Sequence, residues 1–358
     1  MHDSPRPCSG PPGHRDHQPD GPRRIHHPGS GALAAALLLL FALGGCMGPG
    51  AWRDGVPNGA AGASLEAQRA APGWPRQTIE LTGVPFHPQR AYQCGPAALA
   101  TVLGASGHAV DPDALVEQVW LPGRRGALAV ELLAATRRAG RLAYPIDAEF
   151  AALLAELQAG RPVLVMQNLG LAWLPAWHFA VVVGFDPERE TVILRSGTDA
   201  RRIAPLMHFL GSWERADRWA MVALAPGELP ARVDRDRLLG AAAAVERVDQ
   251  AGLAHATYRA WLDIAPEDAA ARFGLATTAT ALGDPDTARG AYRALLAQRP
   301  DDVRALNNLA LLLHEEGDSA VATELLRRAL SLTEDVTVRQ VLLDSLQTID
   351  PRAEPGAG

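Results

Sequence analysis

The sequence predicts an α+β domain followed by an all-α domain, and three observations predict it. Between residues 77 and 228, helix-forming segments come first and short runs rich in Val and Ile come later. That order suits helices packed on a sheet rather than alternating βαβ units. After Pro230 the strand-like runs stop, and residues of the same type recur 34 apart in helix-forming sequence, the mark of stacked helical pairs. With 47% hydrophobic and 21% charged residues in 358, the chain can bury real cores and is not disordered overall. A net charge of −6 argues against a nucleic-acid partner.

Residues 1–31 are rich in Pro, Gly, His and Arg, and the apolar run "ALAAALLLLFALGGC" follows. It has the length of a signal-peptide core and is shorter than a comfortable membrane span. Its end, Leu43-Gly44-Gly45-Cys46, resembles the lipobox of bacterial lipoproteins. The resemblance implies cleavage before Cys46 and lipidation of its thiol. Met47 follows rather than Asp, so the expectation is an outer-membrane anchor facing the periplasm. Cleavage removes Cys8 and lipidation consumes Cys46, which leaves Cys94 as the one free thiol. Three cysteines without a CxxC speak against a zinc cage or a disulfide framework.

The remaining segments fall into order. Residues 1–46 are read as the signal peptide and 47–76, rich in Gly, Ala and Pro, as a linker. "TIELTGVPF" is read as a strand. "CGPAALATVLGAS" has helix-forming composition, and "DPDALVEQVWL" opens on an Asp-Pro start signal. "GALAVELLAATRRAG" and "AEFAALLAELQAG" are amphipathic and stop on Gly140 and Gly160. "RPVLVMQNL", "WHFAVVVGFD", "ETVILRSG" and "RWAMVALAP" are read as strands that complete the domain at 228. Trp120, Trp173, Trp177, Trp213 and Trp219 are read chiefly as core residues.

Residues 234–350 form the helical part, and 351–358 a tail. Pro266 and Pro300 stand 34 residues apart, as do Tyr258 and Tyr292, Leu275 and Leu309, Ala276 and Ala310, Gly283 and Gly317, and Ala288 and Ala322. This period, with small residues at the helix crossings, resembles the tetratricopeptide repeat. The resemblance implies a surface that binds a protein partner.

Chemistry is sought at Cys94. A thiol acts as a nucleophile only as thiolate. Cys94 precedes Gly95-Pro96, and Pro favours the first turn of a helix, so the thiol would sit at the positive end of a helix dipole. A base is then required. His178, opening the apolar run "HFAVVVGFD", is the best placed. His87, close to Cys94, and His108 compete, while His208, His255 and His314 read as surface or packing positions. No phosphate-binding glycine loop and no HExxH or His/carboxylate cluster appears, so no cofactor and no metal are predicted.

"VPFHPQRAYQCGPAALATVL", then "HFAVVVGFD" and "TVILRSG", together resemble the papain-like bacteriocin-processing cysteine peptidases that cleave double-glycine leaders. The resemblance covers about residues 78–225. It implies a papain-like α+β fold with the catalytic helix packed on an antiparallel sheet. It implies Cys94 as nucleophile, His178 as general base and Gln89 as the oxyanion donor, with Gln93 as runner-up. The family places an Asp after the second strand, where this chain has Ser196. Asp186 and Asp199 are the nearby substitutes, and Asp186, in the turn "FDPER", also suits a plain turn role.

The expectation is thus a lipid-anchored cell-envelope cysteine peptidase acting on a peptide or protein substrate, with helical repeats that bind a protein. Two alternatives stay open: an acyltransferase using the same dyad, and an inactive interaction scaffold.

Overall fold

In the computed structural model, which describes residues 65–70, 73–89, 93–121 and 126–351, the apolar runs of the middle third pair into one antiparallel sheet. The elements follow in chain order: α1 Leu65–Ala70, β1 Ile79–Glu80, α2 Cys94–Ala105, α3 Pro112–Val119, β2 Trp120–Leu121, β3 Gly126–Ala127, α4 Ala129–Arg138, β4 Leu142–Pro145 and α5 Phe150–Gln158. They continue through β5 Val163–Asn168, β6 Trp177–Asp186, β7 Thr191–Ser196, β8 Asp199–Pro205, α6 Leu206–Glu214 and β9 Ala220–Leu224. Cys8, Cys46 and the lipobox lie outside the described residues. Among the described residues no helix is long and apolar enough to cross a membrane.

The strand order is β4-β9-β5-β6-β7-β8, with β1 added to β6 where β5 has ended. β6 is buried on both faces from Phe179 to Asp186, which is why its sequence is a continuous apolar run rather than an alternation. Its residues still divide by face. Phe179, Val181 and Val183 meet Leu99, Leu103, Leu115 and Leu132 of α2, α3 and α4. Ala180, Val182 and Phe185 meet Phe150, Leu153, Phe209 and Trp213 of α5 and α6. Asp111 caps α3 by accepting from the Asp113 N–H at 2.9 Å, and Gly140 and Gly160 take positive φ just past α4 and α5, where only glycine is unstrained.

Four features depart from the sequence expectation. The strand expected over residues 78–86 is confined to Ile79–Glu80, because a turn at Thr82–Gly83 and Pro85 end the pairing. β4 is an apolar run of only four residues that ends in Pro145, too short to stand out in the sequence, and β8 carries Arg201 and Arg202 with hardly any buried side chain. α6 stands between strands, in a stretch where helices were not expected. Trp213 is fully buried, but Trp173 and Trp177 are exposed: Trp173 lies on the β5–β6 connection and Trp177 is the first residue of β6, at the end of the sheet.

The helical part comprises α7 Arg235–Glu246, α8 Ala251–Ile264, α9 Ala269–Ala281, α10 Pro285–Gln298, α11 Val303–Glu315, α12 Ser319–Ser331 and α13 Val336–Ile349. The 34-residue period has a physical content. Asp268 and Asp302 cap α9 and α11, and Gly283 and Gly317 take positive φ after them. The Tyr258 ring fills the space that a Cβ on Gly274 would need, at 2.4 Å. One hydrophobic cluster runs from the sheet residues Leu142, Tyr144 and Leu224 into Leu238, Val245, Leu253 and Tyr258.

Candidate functional site

α2 begins at Cys94, and the side chain of Gln93 does not cap it. Pro96 has no N–H to satisfy, so the free donors at this helix start belong to Cys94 and Gly95. Both act on the thiol, as does the Phe179 N–H of β6. The thiol therefore sits against the peptide bond that joins His178 to Phe179. Burial is the larger effect and raises the Cys94 thiol above its usual range, with the three N–H groups pulling the other way. The close fit is set by Gly95, where a Cβ would lie 2.5 Å from Cβ of Ala127 on β3.

His178 is the second residue of β6, paired with Gln167 of β5. Its Nε2 lies 2.9 Å from Oγ of Ser196, at the end of β7. Ser196 is itself only 5% exposed, so this contact holds the ring from the protein side and leaves Nδ1 as the other ring nitrogen. Burial first, and the positive charge of Arg202 second, lower the His178 pKa to about 4. The imidazole is neutral at physiological pH. No hydrogen bond joins the thiol to the imidazole, and the resting pair is thiol and neutral ring.

Cys94, Gln89 and Ser196 line one small cleft, with His87, Phe179 and Arg195 among the other walls. The segment carrying His87 and Gln89 is fastened to the β7–β8 turn. The Gln89 N–H donates to the Gly197 carbonyl at 3.0 Å, and the Arg195 guanidinium donates to the Val84 carbonyl at 3.3 Å. Oε1 of Gln89 is buried with no partner. The two ends of an amide exchange by a half-turn of its plane, so this orphan position is equally one where Nε2, a donor, can point.

The sequence candidates thus separate. Cys94, Gln89 and Ser196 meet in the cleft from three segments, and His178 joins them through Ser196 without itself being a wall of the cleft. Gln93 is not a wall of the cleft. Asp186 does not reach the site: it closes the far end of β6, about 26 Å along the strand from His178. There it accepts from the N–H groups of Glu188 and Arg189, both at 3.0 Å, and from the Arg189 guanidinium at 2.9 Å. Those bonds hold its carboxyl below the usual range and make it a turn residue. Asp199 is exposed at the start of β8, across the turn from Ser196. Arg195 and Arg202 were not singled out from the sequence, where arginines on a polar hairpin look like solvated charge. His87, the competitor for His178 in the sequence, is a wall of the cleft. Among the described residues no group of His, Cys, Asp and Glu is arranged to hold a metal ion.

Residues 81–221 match the model of the Peptidase C39 like family, and residues 273–335 match the tetratricopeptide repeat. Among solved structures the chain is similar to a C39-like peptidase from Bacillus anthracis, at 19% identity over 41% of this chain and 98% of that one, with a TM-score of 0.36. It is also similar to a double glycine motif protease from an AMS/PCAT transporter, in complex with the leader peptide. There the identity is 22% over 41% of this chain and 94% of the other, with a TM-score of 0.31. No curated protein matches the chain.

Proposed function

We propose that this chain, which joins a C39-like peptidase domain to tetratricopeptide repeats, is a cysteine peptidase whose nucleophile is Cys94. The observation that carries the reading is the meeting of a helix-start thiol with the strand of His178, whose ring is held by Ser196 at 2.9 Å. In the first step the free ring nitrogen of His178 takes the Cys94 proton as Sγ attacks a peptide carbonyl carbon. The carbonyl electron pair moves to oxygen. The Cys94 N–H and the Gln89 amide are the donors for that oxyanion, and such a donor contributes about 10²–10³ in rate. The imidazolium then protonates the leaving amine, and the thioester forms as the C–N bond breaks. Water, deprotonated by the same ring, attacks the thioester and releases the acid and the thiol.

The electrostatics set the pace of this mechanism. With the thiol raised and the imidazole lowered, the ion pair is a minor species at rest, so proton transfer must accompany attack. Slow hydrolysis is expected compared with dyads braced by a carboxylate. The test is cleavage of a quenched fluorescent protein substrate by the full chain. Cys94→Ala and His178→Ala are each expected to lower kcat/KM by at least about 10³. Equal residual rates in wild type and Cys94→Ala would end this reading.

The second reading, an interaction scaffold, is favoured by Ser196 as the partner of His178, with no carboxylate hydrogen-bonded to the ring among the described residues. It predicts normal partner binding by Cys94→Ala and no hydrolysis by wild type. Transfer of the thioester acyl group to an amine uses the same dyad and is detected as a ligated product. The repeats supply the surface for a protein partner. We further propose that Cys46 carries the lipid anchor, at the outer membrane and facing the periplasm. Intact mass of membrane-extracted protein tests this, with Cys46→Ala expected to release the chain.

A further inference from the structure

The β5–β6 connection is a hairpin with an apolar outside. Leu171 and Leu174 exchange backbone hydrogen bonds at 3.1 Å in both directions, placing Ala172-Trp173 at the tip. Trp173 is 78% exposed and Leu174 63%, and Leu169, Leu171 and Trp177 are exposed as well. From Pro162 to Phe185 the sequence has no Asp, Glu, Lys or Arg. Scattered exposed hydrophobics are ordinary, but five on one hairpin form a patch.

The hairpin is braced rather than loose. Oδ1 of buried Asn168 accepts from the N–H groups of Gly170 and Ala176, at 2.9 and 3.0 Å, and the Asn168 carbonyl accepts from Arg215. A Cβ on Gly170 would lie 2.4 Å from the Leu174 carbonyl oxygen, so glycine is needed for the strands to close. Fixed backbone with exposed Trp and Leu is pre-organised for contact.

We propose that this hairpin is a binding wall for apolar side chains of a polypeptide substrate, adjoining the bond to be cleaved; this rests on the peptidase reading. Continuity with the site supports this: Trp177 of the patch directly precedes His178 and shares a strand face with Phe179, a wall of the cleft that holds Cys94.

The test uses binding, so that it stands apart from hydrolysis. Full chain carrying Cys94→Ala is immobilised and exposed to a randomised library of synthetic peptides, and the retained pool is sequenced. Leu, Ile, Phe and Trp are expected to be enriched about tenfold, as apolar subsites discriminate. Adding Trp173→Ser with Leu174→Ser, both on exposed positions, is expected to abolish the enrichment, and Leu169→Ser with Leu171→Ser to repeat the effect. Matching pools from all three proteins overturn the proposal. It is equally overturned if the pools match while the variants lose binding to phosphatidylglycerol–phosphatidylethanolamine vesicles, which assigns the hairpin to a membrane. Matching pools with loss of a dimer in sedimentation assign it to a second copy. Enrichment without any cleavage by wild type ends the peptidase reading and leaves the hairpin as a peptide-binding surface.

Discussion

At the scale of the residue, Ser196 decides the character of the site. A hydroxyl orients the His178 ring but offers no charge to stabilise imidazolium, so burial prevails and the ring stays neutral. Ser196→Asp is expected to raise the His178 pKa, move the acid limb of the pH–rate profile upward and increase kcat/KM about tenfold or more; an unmoved acid limb would place residue 196 outside the catalytic geometry. The same burial affects stability. The His178 pKa falls from 6.5 to about 4 on folding, so between those values the unfolded chain binds the extra proton. Stability is therefore full above pH 6.5 and declines as pH falls toward 4, by at most about 3 kcal/mol. His178→Gln is expected to flatten that decline, as read from urea midpoints at pH 7 and 5.

At the scale of the element, one glycine fixes how the helix carrying Cys94 seats. Gly95 lets the start of α2 approach β3, and Ala there would place Cβ 2.5 Å from Ala127 Cβ. Gly95→Ala is expected to cost about 1–3 kcal/mol by overpacking, and to lower kcat more than KM because the nucleophile shifts with its helix. Thermal unfolding and steady-state kinetics on one preparation separate the two effects. Asp268 performs several tasks at the α8–α9 junction. It caps α9 through the N–H groups of Ala270 and Ala271, accepts from Trp261 Nε1 at 3.0 Å, and pairs with Arg235 at 2.6 Å. These bonds hold its carboxyl at about 2 despite burial. Asp268→Ala is expected to destabilise the repeats by about 1–3 kcal/mol, measured by circular dichroism at 222 nm.

At the scale of the whole molecule, the sheet and the helical repeats share hydrophobic core. Tyr144 of β4 is central to the junction. Its Oη accepts from the Asp234 N–H at 2.9 Å, its ring lies 5.7 Å from the Arg237 guanidinium carbon, and Arg237 pairs with Asp147 at 2.8 Å. Nearby, the Ala231 N–H donates to Glu156 at 2.8 Å. Calorimetry is therefore expected to give one cooperative transition rather than two. Tyr144→Ala is expected to cost about 3–5 kcal/mol and to lower the unfolding temperature of sheet and repeats together. Two resolved transitions, with the variant moving only one, would show the parts to be independent.

Much of this molecule was legible in sequence, where local periodicity carries the information. Gly140, Gly160 and Asp111 marked helix ends by backbone geometry that few other residues supply. The 34-residue spacing marked the repeats because each pair must fit its neighbour. The cysteine at a helix start and the histidine opening an apolar strand marked the candidate site for the same local reason. The tertiary structure decided the rest, because it depends on which distant segments meet. It sent Asp186 to the far end of its own strand and brought Ser196 to the ring. It joined the repeats to the sheet, and it left Trp173 and Trp177 in the open. A tryptophan is buried only if something arrives to cover it, and among the described residues no element packs over Trp173 or Trp177.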